Sequence, residues 1–133
     1  MDTLRSVLIR LEKEGAALGH FNVADLVFLK ALFAAASEIK APIFVGASEG
    51  ERDFLGTHQL AVLVKSVREE SDLSMFLNAD HTHSLDKALE AAKAGFDAVV
   101  VDFSALPFEQ NVHRTKEAVE AIKAINPSTL RGR

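Results

Sequence analysis

The sharpest chemistry in this chain is an adjacent carboxylate and imidazole, Asp80-His81. A neutral imidazole is a good zinc ligand, and a carboxylate beside the metal can act as acid or base. An isolated Asp-His pair reads more simply as helix caps or solvated residues. Here the pair closes an apolar run, Ser74-Met75-Phe76-Leu77-Asn78-Ala79. At the end of a buried strand the functional reading is favoured. His83 follows two positions on and is a second-ligand candidate. Alternate residues at a strand end point to different places, so it reads better as a helix-start or surface residue. His58 and His113 fall in helical periods and read as solvated. His20 sits in a strand, and the sequence does not assign its face.

Asp102 ends the run Ala98-Val99-Val100-Val101. A carboxylate there is costly unless it is paired, hydrogen-bonded or metal-bound. Metal binding and pairing with a neighbouring backbone or Asn group both remain open. Ser48 and Gly50 would bring a hydroxyl and a backbone donor near a phosphate, although no full glycine-rich phosphate motif is present. Arg52 could add a charge-assisted contact to an anion, but reads first as an exposed loop arginine. Polar clusters close four apolar runs: His20-Phe21-Asn22, Ser48-Glu49-Gly50, Asn78 to His83, and Asp102-Phe103-Ser104.

The elements that must position these clusters alternate. Residues 1–15 form an amphipathic leading helix with Leu4, Leu8 and Leu11 on one face. Strands are expected at 17–23, 42–48, 74–81 and 98–102. Helices are expected at 25–39, 57–70, 84–94 and 108–125, with 49–56 as a loop. Asp25 and Ser84 are N-caps, Gly95 a C-terminal stop, and Asn126-Pro127 ends the last helix. Residues 128–130 would begin a fifth strand. Four βα units in succession mean an α/β fold with a parallel sheet and right-handed crossovers. Either an open doubly wound sheet or part of a (βα)8 barrel fits, and both place ligands at the carboxyl ends of the strands. A barrel takes about 250 residues, so 133 residues would supply half of one, as a single domain. Such a half would leave its first and fourth strands as open edges and invite self-association.

Composition narrows the function. The net charge is -4 and the nine aromatics are all Phe, which argues against a nucleic-acid surface. The chain has no cysteine, which excludes disulfides, thiolate metal sites and a cysteine nucleophile and fits the cytoplasm. No apolar h-region precedes a small-residue cleavage site, so no signal peptide is expected, and no apolar run approaches the roughly 20 residues of a membrane helix.

Several ordered blocks resemble the class II aldolases, the family of fructose-bisphosphate and tagatose-bisphosphate aldolases. They are Gly19-His20-Phe21-Asn22-Val23; Ala41-Pro42-Ile43 leading to Ser48-Glu49-Gly50; Asn78-Ala79-Asp80-His81; Ala94-Gly95-Phe96-Asp97; and Val101-Asp102-Phe103-Ser104, followed by Leu106-Pro107-Phe108-Glu109 and Asn111. The resemblance runs from about Gly15 to Asn126. It implies the N-terminal half of a (βα)8 TIM barrel and zinc-dependent cleavage of a phosphorylated ketose, fructose 1,6-bisphosphate. It further implies that His81 binds zinc, that Asp80 is the catalytic carboxylate, and that Asp102 lies near the metal or a second cation. Asn22 and Ser48 would line the substrate pocket. The family's other zinc histidines and phosphate loops lie beyond the matched blocks. The resemblance therefore implies a homo-oligomer or a complementary C-terminal half as partner, and a chain inactive alone. The competing reading is a non-catalytic half-barrel that serves as an interaction module or is a remnant.

Overall fold

The computed structural model describes residues 2–70 and 72–132. Helix α1 (Leu4–Glu14) opens on a capping box between Thr3 and Ser6 and closes on Gly15 in the left-handed region. The elements that follow are β1 (Gly19–Asn22), α2 (Leu26–Ile39), β2 (Ile43–Ala47), α3 (Glu49–Leu55), α4 (Thr57–Glu69), β3 (Met75–Thr82), α5 (Leu85–Ala94), β4 (Ala98–Val101), α6 (Phe108–Ile125) and β5 (Leu130–Gly132). Asp25 and Ser84 cap α2 and α5 through their side chains, as their residue types require. Gly95 ends α5 at φ 94°, a conformation that only glycine adopts cheaply.

The five strands are parallel and lie in chain order, β1-β2-β3-β4-β5. Ile43, Val45 and Ala47 of β2 point to one face with Met75, Leu77 and Ala79 of β3 and Val99 and Val101 of β4. There they meet Leu29 and Leu32 of α2, Leu60 and Val64 of α4, Ala88, Ala91 and Ala92 of α5, and Ala118 and Ile122 of α6. A doubly wound sheet would carry helices on both faces. Chain-order strands with these crossover helices on one face are the arrangement of a (βα)8 barrel segment.

The opposite face divides along the strand direction. At the strand starts Phe44, Phe76, Ala98 and Leu130 are covered by Leu4, Val7 and Leu11 of α1. Toward the strand ends the same face carries polar residues, and these form the site.

Sequence expectations change at three elements, and at one side chain within them. The buried face of α1 uses Val7, while Leu8 is exposed, because 3.6-residue periodicity puts 4, 7 and 11 in line. The segment expected as a loop at 49–56 is helix α3, opened by a reciprocal capping box between Ser48 and Glu51. The open edges are β1 and β5, because β5 pairs with β4.

Arg52 is the largest fully buried side chain, at 1% exposure, and not a loop arginine in solvent. Its guanidinium donates to the carbonyls of Ala47 and Asp80 and, at 2.8 Å, to Thr82 Oγ1. One planar fork thus ties the end of β2 to the end of β3. Burial pushes its pKa down, and Glu49, Asp53, Glu90 and Asp80 oppose that shift. We expect Arg52→Ala to destabilise the chain by roughly 2–4 kcal/mol in urea unfolding, because it strands two buried acceptors and one half-buried one. Arg52→Lys should recover only part of the loss, since an ammonium cannot reproduce the fork. A change below about 0.5 kcal/mol would show that the fork is not what joins the strand ends.

Candidate functional site

β3 gains one residue relative to β4 just where its polar residues begin. Ala79 is in register with Val99, but the next matched pair is Thr82 with Val101. Three steps on β3 therefore oppose two on β4, which is a β-bulge. The bulge contains Asp80 and His81, and His81 adopts φ 42°. Bulges of this kind re-aim side chains at the ends of strands. Thr82 turns back into the structure, fully buried, where its hydroxyl meets Arg52. Asp80 keeps the alternation of Phe76 and Asn78, on the face away from the helices.

His81 faces the end of β4. Its Nδ1 lies 3.0 Å from Asp102 Oδ2, and its side chain is 62% exposed. Asp102 Oδ1 accepts from the Ser104 hydroxyl at 2.6 Å and from the Ser104 backbone N–H at 3.0 Å. Both carboxylate oxygens are thus engaged. Ser104 and His81 together hold the Asp102 carboxyl well below the usual carboxylate range. The hydrogen bond to Asp102, then the charge of Asp80, raises the His81 pKa above its ordinary 6.5. With Nδ1 turned to Asp102, Nε2 is the ring nitrogen left for an incoming group.

Asn22, at the end of β1, donates to Asp80 Oδ2 at 3.2 Å and to Glu51 Oε2 at 3.4 Å. The same Glu51 oxygen accepts the Ser48 backbone N–H at 2.6 Å. The Ser48 hydroxyl accepts from the Glu51 N–H. Glu51 thus joins Asn22 to Ser48, Asn22 joins both to Asp80, and His81 follows Asp80 with Asp102 as its partner. Glu51 is the member that reading strand ends missed. The pattern Ser-x-x-Glu at 48–51 would have found it, because that spacing is a capping signature.

The remaining candidates fall outside this cluster. The His83 backbone N–H donates to Glu49 Oε2 at 2.9 Å, and its exposed ring lies 3.3 Å from the Asp102 carbonyl. Gly50 is exposed in the first turn of α3, and His58 and His113 are exposed on helices. His20 faces Asn78 across the sheet, with its Nε2 3.1 Å from Asn78 Nδ2.

His81 and Asp80 carry the donors open to a metal, and Asp102 stands behind His81 with both its oxygens engaged. An imidazole whose Nδ1 is turned to a carboxylate is the usual state of a metal-bound histidine. Among the described residues, no group of three or more His, Cys, Asp or Glu is placed to hold a metal ion. The donors fit one side of a zinc shell and do not complete it. No described helix is long and apolar enough to cross a membrane.

A family model described as class II fructose-bisphosphate aldolase matches residues 2–129. The fructose-bisphosphate aldolase of Staphylococcus aureus is 33% identical over 121 residues, covering 89% of this chain and 42% of that protein. The Staphylococcus epidermidis enzyme of the same name is 32% identical over the same shares. Among solved structures, the YdjI aldolase of Escherichia coli K12 superimposes with a TM-score of 0.83 at 25% identity, over 94% of this chain and 48% of that one. The fructose-bisphosphate aldolase of Campylobacter jejuni does so with a TM-score of 0.81 at 20% identity, over 96% and 43%. The chain spans less than half the length of these relatives.

The His81–Asp102 contact makes a pH-dependent prediction. The folded pKa of His81 is raised, so the contact stabilises the fold fully below the unfolded histidine value, about 6.5, and fades as pH rises through the folded value. Asp102 works in the opposite direction. Its contribution is present above the ordinary carboxylate value, about 3.9, and is lost as pH falls through its depressed folded value. In an NMR titration of the ring protons, His81 should titrate above an ordinary histidine. Asp102→Asn should bring its midpoint down, and an unchanged midpoint would show that Asp102 does not set the state of the imidazole.

Proposed function

The chain belongs to the class II fructose-bisphosphate aldolase family, and from that premise we propose that it carries the metal-facing half of a zinc-dependent aldolase site. The reaction is reversible cleavage of fructose 1,6-bisphosphate to dihydroxyacetone phosphate and glyceraldehyde 3-phosphate. The observation that carries this reading is the bulge in β3, which sets Asp80 and a His81 backed by Asp102 side by side at the strand ends.

His81 would hold the zinc through Nε2, and the bound metal would supply a Lewis acid that polarises the ketose carbonyl. Cleavage breaks the C3–C4 bond, and the C4 hydroxyl must lose its proton as it becomes the aldehyde. Asp80 is the group in this chain to take that proton and to return it in the condensation direction. Asn22 donates to the Asp80 carboxylate and so orients it. Ser48 stands beside them, and its hydroxyl keeps a proton free to donate after accepting from Glu51. Asp102 lies near the metal in this reading and acts behind His81, since both its oxygens are already engaged. A raised His81 pKa means that protons compete with the metal for Nε2, so affinity falls as pH drops. The same reading carries a cytoplasmic location, and a homo-oligomer or a complementary barrel half that supplies the remaining ligands.

A second reading is a non-catalytic half-barrel. It is favoured by the incomplete donor set among the described residues.

The two readings separate in an assay of dihydroxyacetone phosphate release from fructose 1,6-bisphosphate. The assay uses this chain together with the C-terminal half of the S. aureus relative, supplied as a separate polypeptide. We expect turnover that a chelator abolishes. Asp80→Ala should lower turnover by about 10²–10⁴-fold with metal retained, whereas His81→Ala should lose both. Equal metal loss in the two variants would overturn this division of roles, and turnover that survives chelation would remove the zinc. No turnover from the combined halves would favour the second reading.

A further inference from the structure

Below the Asn22–Asp80 pair lies a second polar pair that the chemistry above does not use. Asn78 precedes Asp80 by two positions on β3 and is only 3% exposed. His20 precedes Asn22 by two positions on β1. Asn78 Nδ2 is 3.1 Å from His20 Nε2, and Asn22 Nδ2 is 3.2 Å from Asp80 Oδ2. Both contacts join β1 to β3, which are not neighbours, and both run over the intervening β2. In register, Asn22 lies level with Gly46 and Asn78, and His20 lies level with Phe44. The two contacts are therefore parallel diagonals, each climbing two residues toward the strand ends.

Strands one apart from adjacency are about 9–10 Å from each other. Side chains as short as these meet only if nothing stands between them. Gly46 provides that gap. A Cβ built there would lie 2.3 Å from Asn22 Oδ1 and 2.5 Å from His20 Nε2. His20 and Asn22 thus share the space above one glycine, each limiting where the other can go. From beneath, the His20 ring rests edge-on against Phe44, with centroids 5.2 Å apart and planes at 77°. Phe44 in turn packs with the α1 cluster. The Asn78 amide oxygen has no hydrogen-bond partner among the described residues. The orientation of this buried amide therefore rests on His20.

We propose that His20 and Asn78 are positioning residues that fix the side chain of Asn22, and through it the carboxylate of Asp80. The proposal rests on the aldolase reading only for what Asp80 then does. With Asn78 Nδ2 donating, His20 Nε2 accepts, and the neutral ring carries its proton on Nδ1. The ring fills the floor beneath Asn22, so Asn22 cannot drop toward β2 and release Asp80. Without the ring, both the floor and the buried Asn78 donor lose their partner.

The test is the side-chain amide spectrum of the 133-residue chain by ¹⁵N-correlated NMR, for the parent and for His20→Ala, Asn78→Ala, His20→Gln and Gly46→Ala. In both alanine variants at 20 and 78, the Asn22 amide pair should move to the position of a solvated amide, while backbone signals of α4 and α5 stay in place. Gln at position 20 restores a polar end and should return most of the Asn22 displacement, which a loss of packing alone would not. Gly46→Ala should displace Asn22 and Asn78 signals together. If Asn22 keeps its position in His20→Ala and Asn78→Ala, the proposal is overturned. Should either alanine variant unfold, His20→Gln and Gly46→Ala decide it, and an Asn22 signal unmoved by Gly46→Ala overturns it equally. The readout needs neither metal nor substrate, so it stands apart from the turnover assay. Displaced Asn22 with no turnover removes the aldolase reading alone, and turnover with an unmoved Asn22 removes the positioning role alone.

Discussion

The site depends on a single extra residue in β3. Without it, strict alternation would send Asp80 to one face and His81 into the helix layer. The bulge between Ala79 and Thr82 breaks that rule and lets consecutive residues serve the same rim. Its cost is visible in the left-handed backbone of His81, a conformation that costs non-glycine residues of order 1–3 kcal/mol. Two interactions hold it in place. Thr82 is pulled inward to the Arg52 fork, and His81 is drawn outward to Asp102. The strained residue is thus anchored on both sides, which keeps Asp80 and His81 adjacent at the rim.

The charges around the bulge differ in what they contribute. Arg52 is buried, and its guanidinium is satisfied by two carbonyls and a hydroxyl, with no direct carboxylate partner among the described residues. Burying a cation this way is costly, and the nearby carboxylates Glu49, Asp53 and Asp80 reduce that cost through space. The His81–Asp102 pair is exposed, so solvent screens it and its worth to stability is small. Its importance is geometric, because it fixes which imidazole nitrogen faces outward. The structural burden and the chemical burden of the rim thus fall on different ion-bearing groups.

The sequence made the strand-end residues legible because each interrupts an apolar run. Asp80, His81 and Asp102 stand out for that reason, and the structure gathers them at one rim. The chain-order sheet was also implicit in the βα alternation, although periodicity alone left the doubly wound alternative open. What stayed hidden depends on register. Arg52 looked like a loop residue because α3 is only seven residues long, and such a helix carries too few turns to show periodicity. The contact of His20 with Asn78 crosses an intermediate strand. No local pattern reveals that Gly46, twenty-six residues after His20, leaves the gap between them. The face of His20 follows only once β1 is aligned with β2 through Phe44.

The polar face is organised as layers from α1 upward. Leu4, Val7 and Leu11 cover Phe44 and Phe76. Phe44 supports His20, and His20 meets Asn78. Above them Asn22 joins Asp80 and Glu51. The layers grow more polar toward the strand ends, and along β3 exposure rises from buried Phe76 and Asn78 to half-buried Asp80 and exposed His81. The Asp80 carboxylate at the top is half-buried and accepts from Asn22, while the amide two residues deeper cannot leave its partner without cost. The charged or chargeable residues of β3, Asp80 and His81, thus lie near its end, and the uncharged Asn78 lies deeper. Exchanging Asp80 and Asn78 would bury a charge level with Gly46, with no opposite charge among the described residues to pair with it.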